Sequence, residues 1–156
     1  LGYDTGIPDD SVPTASIDMI TSLSVSNNSI SDLTGIEDFA ALNVLRCYSM
    51  QLTSLDLSNN TALTYLDCEH NSLPILNVSA NTALTALRCV FNQLTSLDVS
   101  GATALTELHC HDNQLTSLDV SNNTALLVFP KLTFIVSLSE VDKERPFTSA
   151  LTGNFL

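Results

Sequence analysis

The chain has 156 residues, 44% apolar and without tryptophan, and sets five lysine or arginine residues against seventeen aspartate or glutamate residues, for a formal charge of −12 at pH 7. That length fits one domain, and the charge excludes nucleic acid as a partner, because phosphate recognition needs a basic stripe and the only cationic residues ahead of Lys131 are Arg46 and Arg88. There is no unbroken run of eighteen apolar residues, so no membrane span is expected.

The chain opens abruptly with LGYDTG and shows no signal peptide, so it reads as a mature or excised fragment. From Ile20 the sequence repeats itself. A unit of 22 residues (20–41, ITSLSVSNNSISDLTGIEDFAA) is followed without insertion by four units of 21 residues, at 42–62, 63–83, 84–104 and 105–125. Self-similarity at a fixed short period predicts a solenoid of five rungs, in which no single coil buries its own ring of leucines and stacking supplies the core.

Each unit divides into two phrases, of the form LxxLxCxxNQ and LTSLDVSNNTA, and in both the apolar residues recur at every second position over a short stretch. Period two predicts strand. The second phrase is rich in Thr, Val, Asp and Asn, which are poor in helix interiors, so the wall opposite the first strand is expected to be extended or turn-like, with little helix. At the Asn-rich corners, Asn and Asp side chains are expected to bond nearby backbone groups and to tolerate left-handed geometry. Cys47, Cys68, Cys89 and Cys110, spaced by 21, fall at inward positions and predict a buried column of free thiols acting as small hydrophobes. A disulfide between adjacent rungs would require local twisting, and no C-x2-C pair points to zinc.

What differs between the units is concentrated at the outward positions of the first strand. These are Val44, Arg46, Tyr48 and Ser49, then Tyr65, Asp67, Glu69 and His70, then Ala86, Arg88, Val90 and Phe91, and finally Glu107, His109, His111 and Asp112. Variety confined to one exposed sheet, beside a second sheet that scarcely varies, is the signature of a binding face. Arg46, Asp67, Arg88 and His109 form a column of alternating charge that predicts cross-strand ion pairs. Tyr48, Tyr65, Val90 and Phe91 are expected to face solvent, with Tyr65 and Phe91 as ligand anchors and Arg88 as a polar clamp.

Two metal readings attach to this pattern. His109 and His111, on one side of a strand with Asp112 next in sequence, are weak candidates for a transition metal. On the constant wall Asp98 and Asp119 fall in one column flanked by Ser96, Ser100, Ser117 and Ser121, a weak calcium candidate that Asn77 interrupts. No cofactor is expected. No catalytic triad is expected either, because outward groups on a flat sheet exclude little water.

After Leu126 the pattern stops. Residues 126–156 place Pro130 and Lys131 where a variable residue and the Cys should fall, and LTFIVSL reads as an irregular cap or as an edge through which two copies could pair.

The phrase NQLTSLDVSNNTALTxLxC resembles the short leucine-rich repeats of surface and secreted proteins of the Bacteroidetes, flavobacteria in particular, and ISDLTGIEDFAAL is similar to internalin-type repeats. The resemblance covers Ile20 to Leu126 closely, and LGYDTGIPDDSVPTASI looks like the cap that precedes the first repeat in that group, which implies that residues 1–19 are a truncated N-terminal cap. It implies a leucine-rich-repeat solenoid, formally of the α/β class, with a parallel sheet on one face, and a location outside the cell or at its surface. The function expected is an adhesion or binding module for a protein or glycan. A spacer arm of a larger secreted protein and a calcium-dependent adhesin are the alternatives.

Overall fold

A computed structural model describes residues 17–27 and 29–127. Most of the expected N-terminal cap, and everything after Leu127 including the expected pairing edge, lie outside the described residues.

Among the described residues seven short strands form: β1 (Ser22–Ser24), β2 (Val44–Arg46), β3 (Tyr65–Asp67), β4 (Ile75–Asn77), β5 (Ala86–Arg88), β6 (Ser96–Asp98) and β7 (Glu107–His109). The first phrases of the five units build one parallel sheet in the order β1-β2-β3-β5-β7. Its register follows the repeat, so that Leu23, Leu45, Leu66, Leu87 and Leu108 stand side by side. Helix among the described residues is limited to the 3-10 turns Ile36–Asp38 and Thr124–Leu127. The opposite wall is strand only at β4 and β6, which pair Ile75↔Ser96 and Asn77↔Asp98. The Asp and Asn of this wall make the local bonds their side chains favour. Asp56, Asn77, Asp98 and Asp119 each accept the N–H of the serine two residues on, at 2.8–2.9 Å.

The core between the walls is a set of columns, with Leu42, Leu45, Leu63, Leu66, Leu84, Leu87 and Leu105 fully buried. Each fully buried leucine contributes about 2 kcal/mol. The four cysteines are free and buried, as the repeat predicts. Burial pushes the thiols of Cys47 and Cys110 up to about 12, and those of Cys68 and Cys89 well above the ordinary range. They therefore stay protonated near neutrality and carry no thiolate chemistry. The Sγ of Cys68 donates to the Arg88 carbonyl on the next rung, and that of Cys89 to the His109 carbonyl.

The asparagines do more than shape corners. Asn71, Asn92 and Asn113 point inward, and each Nδ2 donates to the cysteine carbonyl of the preceding rung and to that of its own rung; for Asn92 these are Cys68 at 2.9 Å and Cys89 at 3.2 Å. Their Oδ1 atoms accept the N–H groups of Leu52, Leu73 and Leu94 on the preceding rung at 3.0 Å. A second column, Asn60, Asn81 and Asn123, donates in the same way to carbonyls of the opposite corner. Ala102 takes the asparagine's place there, and beside it Gly101 is pressed against the rung before, so that a Cβ would lie 1.8 Å from the Ser79 carbonyl oxygen.

The left-handed residues include the Asn and Asp types expected at the corners, and others besides. Besides Asn27 and Gly35 they are Ser49, His70, Phe91 and Asp112, all with φ of 53–54°. The asparagines of the two ladders are not among them. The chain leaves the sheet two residues after the inward Cys, and the side chain that must stay inside to stitch the rungs is the next one. The varied residue before it is left to take the tight turn, held there by backbone bonds to the following rung such as Ser49 N–H to Glu69 C=O and His70 N–H to Val90 C=O, both 2.9 Å.

Candidate functional site

The outward positions of the five-stranded sheet assemble into one face. Register sets Val44, Tyr65, Ala86 and Glu107 in one column and Arg46, Asp67, Arg88 and His109 in the next. Tyr48, Glu69, Val90 and His111 follow past the buried cysteines, and the left-handed corner closes the face with Ser49, His70, Phe91 and Asp112.

Adjacency in the charged column does not produce the expected ion pairs. Asp67 is in none of the ion pairs among the described residues. It is 8% exposed, a short side chain between the longer Arg46 and Arg88, and its Oδ1 accepts the N–H of Glu69 at 3.3 Å. Loss of water raises its carboxyl above the ordinary range, against the pull of that hydrogen bond and the two guanidiniums. Arg46 lies over the Tyr65 ring, 5.0 Å from its centroid. Burial raises the Tyr65 phenol. Arg88 reaches across the diagonal to the longer Glu107, whose Oε1 accepts from Nε at 3.0 Å and Nη2 at 2.7 Å. The same oxygen is 3.2 Å from Nε2 of His109. The hydrogen bond to Glu107 raises the Arg88 guanidinium further. The expected clamp is thus already engaged within the chain.

The aromatic expectation also changes. Phe91 is exposed at 47%, and Tyr48 and Tyr65 are half-buried. Val90 is buried, not solvent-facing, because its short side chain stands between the longer Glu69 and His111. At the corner His70 stacks on Phe91 with centroids 4.5 Å apart and 16° between planes, and His111 meets the same ring edge-on at 6.0 Å. His111 Nδ1 is 2.7 Å from Oδ2 of Asp112. This ring ridge went unread in the sequence. Its signal was that His70 and Phe91 occupy one repeat position 21 residues apart, with His111 beside it.

No group of three metal-ligating side chains forms among the described residues. His109 and His111 hold different carboxylates, Glu107 and Asp112. Asp98 and Asp119 are committed to Ser100 and Ser121, and those hydrogen bonds lower their carboxyls.

The fold recurs in solved structures. The functional domain of InlJ from Listeria monocytogenes, described as including a cysteine ladder, matches at 48% identity with a TM-score of 0.71, over 73% of this chain and 25% of that one. Internalin C2 from the same species matches at 29% identity and a TM-score of 0.64, over 81% of this chain and 54% of that one. A leucine-rich-repeat protein of Leptospira interrogans shares the fold at 20% identity and a TM-score of 0.52. The chain has a leucine-rich-repeat fold. It spans a quarter of the InlJ domain and about half of internalin C2. No protein-family model and no curated protein sequence matches the chain.

Proposed function

We propose that the chain is a protein-binding module that uses the face of its five-stranded sheet, and that it works outside the cell or at a cell surface. The observation that carries this reading is the division of the rung: inward columns of Leu, Cys and Asn repeat almost unchanged, while the outward columns on one sheet hold Tyr, Arg, Glu, His and Phe. A scaffold needs uniformity only where it stacks. Aromatic and arginine side chains are the ones that dominate protein interfaces. The resemblance to surface and secreted repeats supports the location.

A protein partner suits the face better than a glycan. A sugar ring needs the flat of an aromatic ring, and here Arg46 lies over Tyr65 while His70 and His111 take up the Phe91 ring. The rims remain for contact. A catalytic role is not proposed, because the open sheet offers no enclosure for chemistry.

The test is capture of surface proteins from a host or biofilm extract on the immobilised chain. Tyr65→Ala with Phe91→Ala is expected to abolish capture, and Ser54→Ala with Ser96→Ala on the opposite wall to leave it intact. Equal capture by all three would make the solenoid a spacer arm.

A further inference from the structure

Every cationic side chain and every histidine among the described residues stands on the sheet face. Away from it each charged side chain is a carboxylate, Asp56, Asp98 and Asp119 among them. With the imidazoles neutral, the face sets Arg46 and Arg88 against Asp67, Glu69, Glu107 and Asp112. With His70, His109 and His111 protonated, it sets five cations against four carboxyls. Histidine changes charge between pH 5 and 8.

These imidazoles sit where their charge matters. His109 shares the Glu107 oxygen with Arg88. His111 holds Asp112. His70 follows Glu69, lies close enough to act on the Asp67 carboxyl, and stacks on Phe91. Glu69 lies near enough to Arg88 to act on its guanidinium, but among the described residues its carboxylate is in no ion pair and accepts no hydrogen bond, with Tyr48 on one side of its column and Val90 on the other.

We propose that this face docks a basic protein surface near neutral pH and releases it on mild acidification. The inference rests on the protein-binding reading above and adds the partner's charge and its control. A net charge of −12 draws a basic partner in. At physiological salt, interactions reach only about 8 Å, so the local groups decide where it settles. Glu69 and Asp112 pair with its lysines or arginines, while the rims of Tyr48 and Phe91 give aromatic contact beside them. Protonated His111 then holds Asp112 as an ion pair, His109 does the same for Glu107, and His70 places a positive charge beside Glu69. Each withdraws a carboxylate from the partner.

The probe is a lysine-rich peptide titrated onto the whole chain at about 0.15 M salt, near pH 7.5 and near pH 5.5. The dissociation constant is expected to rise about tenfold on acidification in the native chain and less than about twofold in His70→Gln/His109→Gln/His111→Gln. Glu69→Gln, which leaves the rings in place, is expected to weaken binding near pH 7.5 about tenfold. The proposal is overturned if the triple variant keeps the native pH response while melting as the native chain does. It is equally overturned if Glu69→Gln binds as the native chain does, whereas Asp56→Asn/Asp98→Asn/Asp119→Asn loses the peptide. Either result with partner capture still dependent on Tyr65 and Phe91 sinks this inference alone; loss of that dependence sinks the reading beneath it.

Discussion

Asp67 shows what the solenoid imposes on a single side chain. Its position in the repeat makes it outward, yet its neighbours above and below are arginines long enough to cover it, and its carboxyl is raised by the loss of water. A folded-state value above the unfolded one means that the folded chain binds the proton more tightly, so this group costs stability as pH rises through that window. Asp67→Asn keeps an acceptor for the Glu69 N–H and removes the buried charge. It is expected to raise the melting temperature at pH 7, with the advantage shrinking as pH falls toward the ordinary carboxylate range, as followed by thermal melts across pH. Ser49 carries a different local cost. A left-handed backbone costs a residue with a Cβ about 1–2 kcal/mol, and glycine gives back part of that through its freer unfolded chain. Ser49→Gly should therefore stabilise by up to about 1 kcal/mol in denaturant titration. His70 and Phe91 bear the same strain with a ring stack to hold them, so glycine there is expected to gain less.

At the scale of the rung, much was legible in the sequence. The repeat named the five sheet strands, their register, the buried thiols and the near absence of helix, because each follows from period two nested inside a period of 21. The left-handed corner was legible only at Asp112, a type that tolerates such geometry, since Ser49, His70 and Phe91 give no such signal and the neighbouring asparagines stay inside to stitch the rungs. Nor could spacing tell which acid an arginine would choose. Arg88 takes Glu107 over the register-adjacent Asp67 because of side-chain length, a matter of three dimensions. The Gly101–Ala102 pair belongs to this scale as well. In the other units the same two places read Asn59–Asn60, Ala80–Asn81 and Asn122–Asn123, and only here does the missing inward amide coincide with a backbone too close to admit a Cβ. Gly101→Ala alone is expected to destabilise by about 1–3 kcal/mol through overpacking. Gly101→Asn with Ala102→Asn, which restores the phrase of the first and last 21-residue units, should recover most of that loss. An additive loss in chemical melts of the double variant would show that the rung cannot move outward to take the amide.

For the whole molecule, the bonds that join rungs lie along the solenoid axis. Backbone amides, the asparagine ladders and the thiols of Cys68 and Cys89 link one coil to its neighbour, so the solenoid is cohesive along its axis and nearly featureless from rung to rung. Tension applied to its two ends loads those bonds one coil at a time, as in opening a zipper, and never all together. Each detached coil frees 21 residues, about 70 Å of extended chain. Single-molecule stretching should then give a sawtooth of low, evenly spaced steps near that length, whereas one large rupture would mean that the rungs yield as a block. A chain built this way is expected to act as a shock absorber, its near rungs keeping their shape while the far end of the spring gives way.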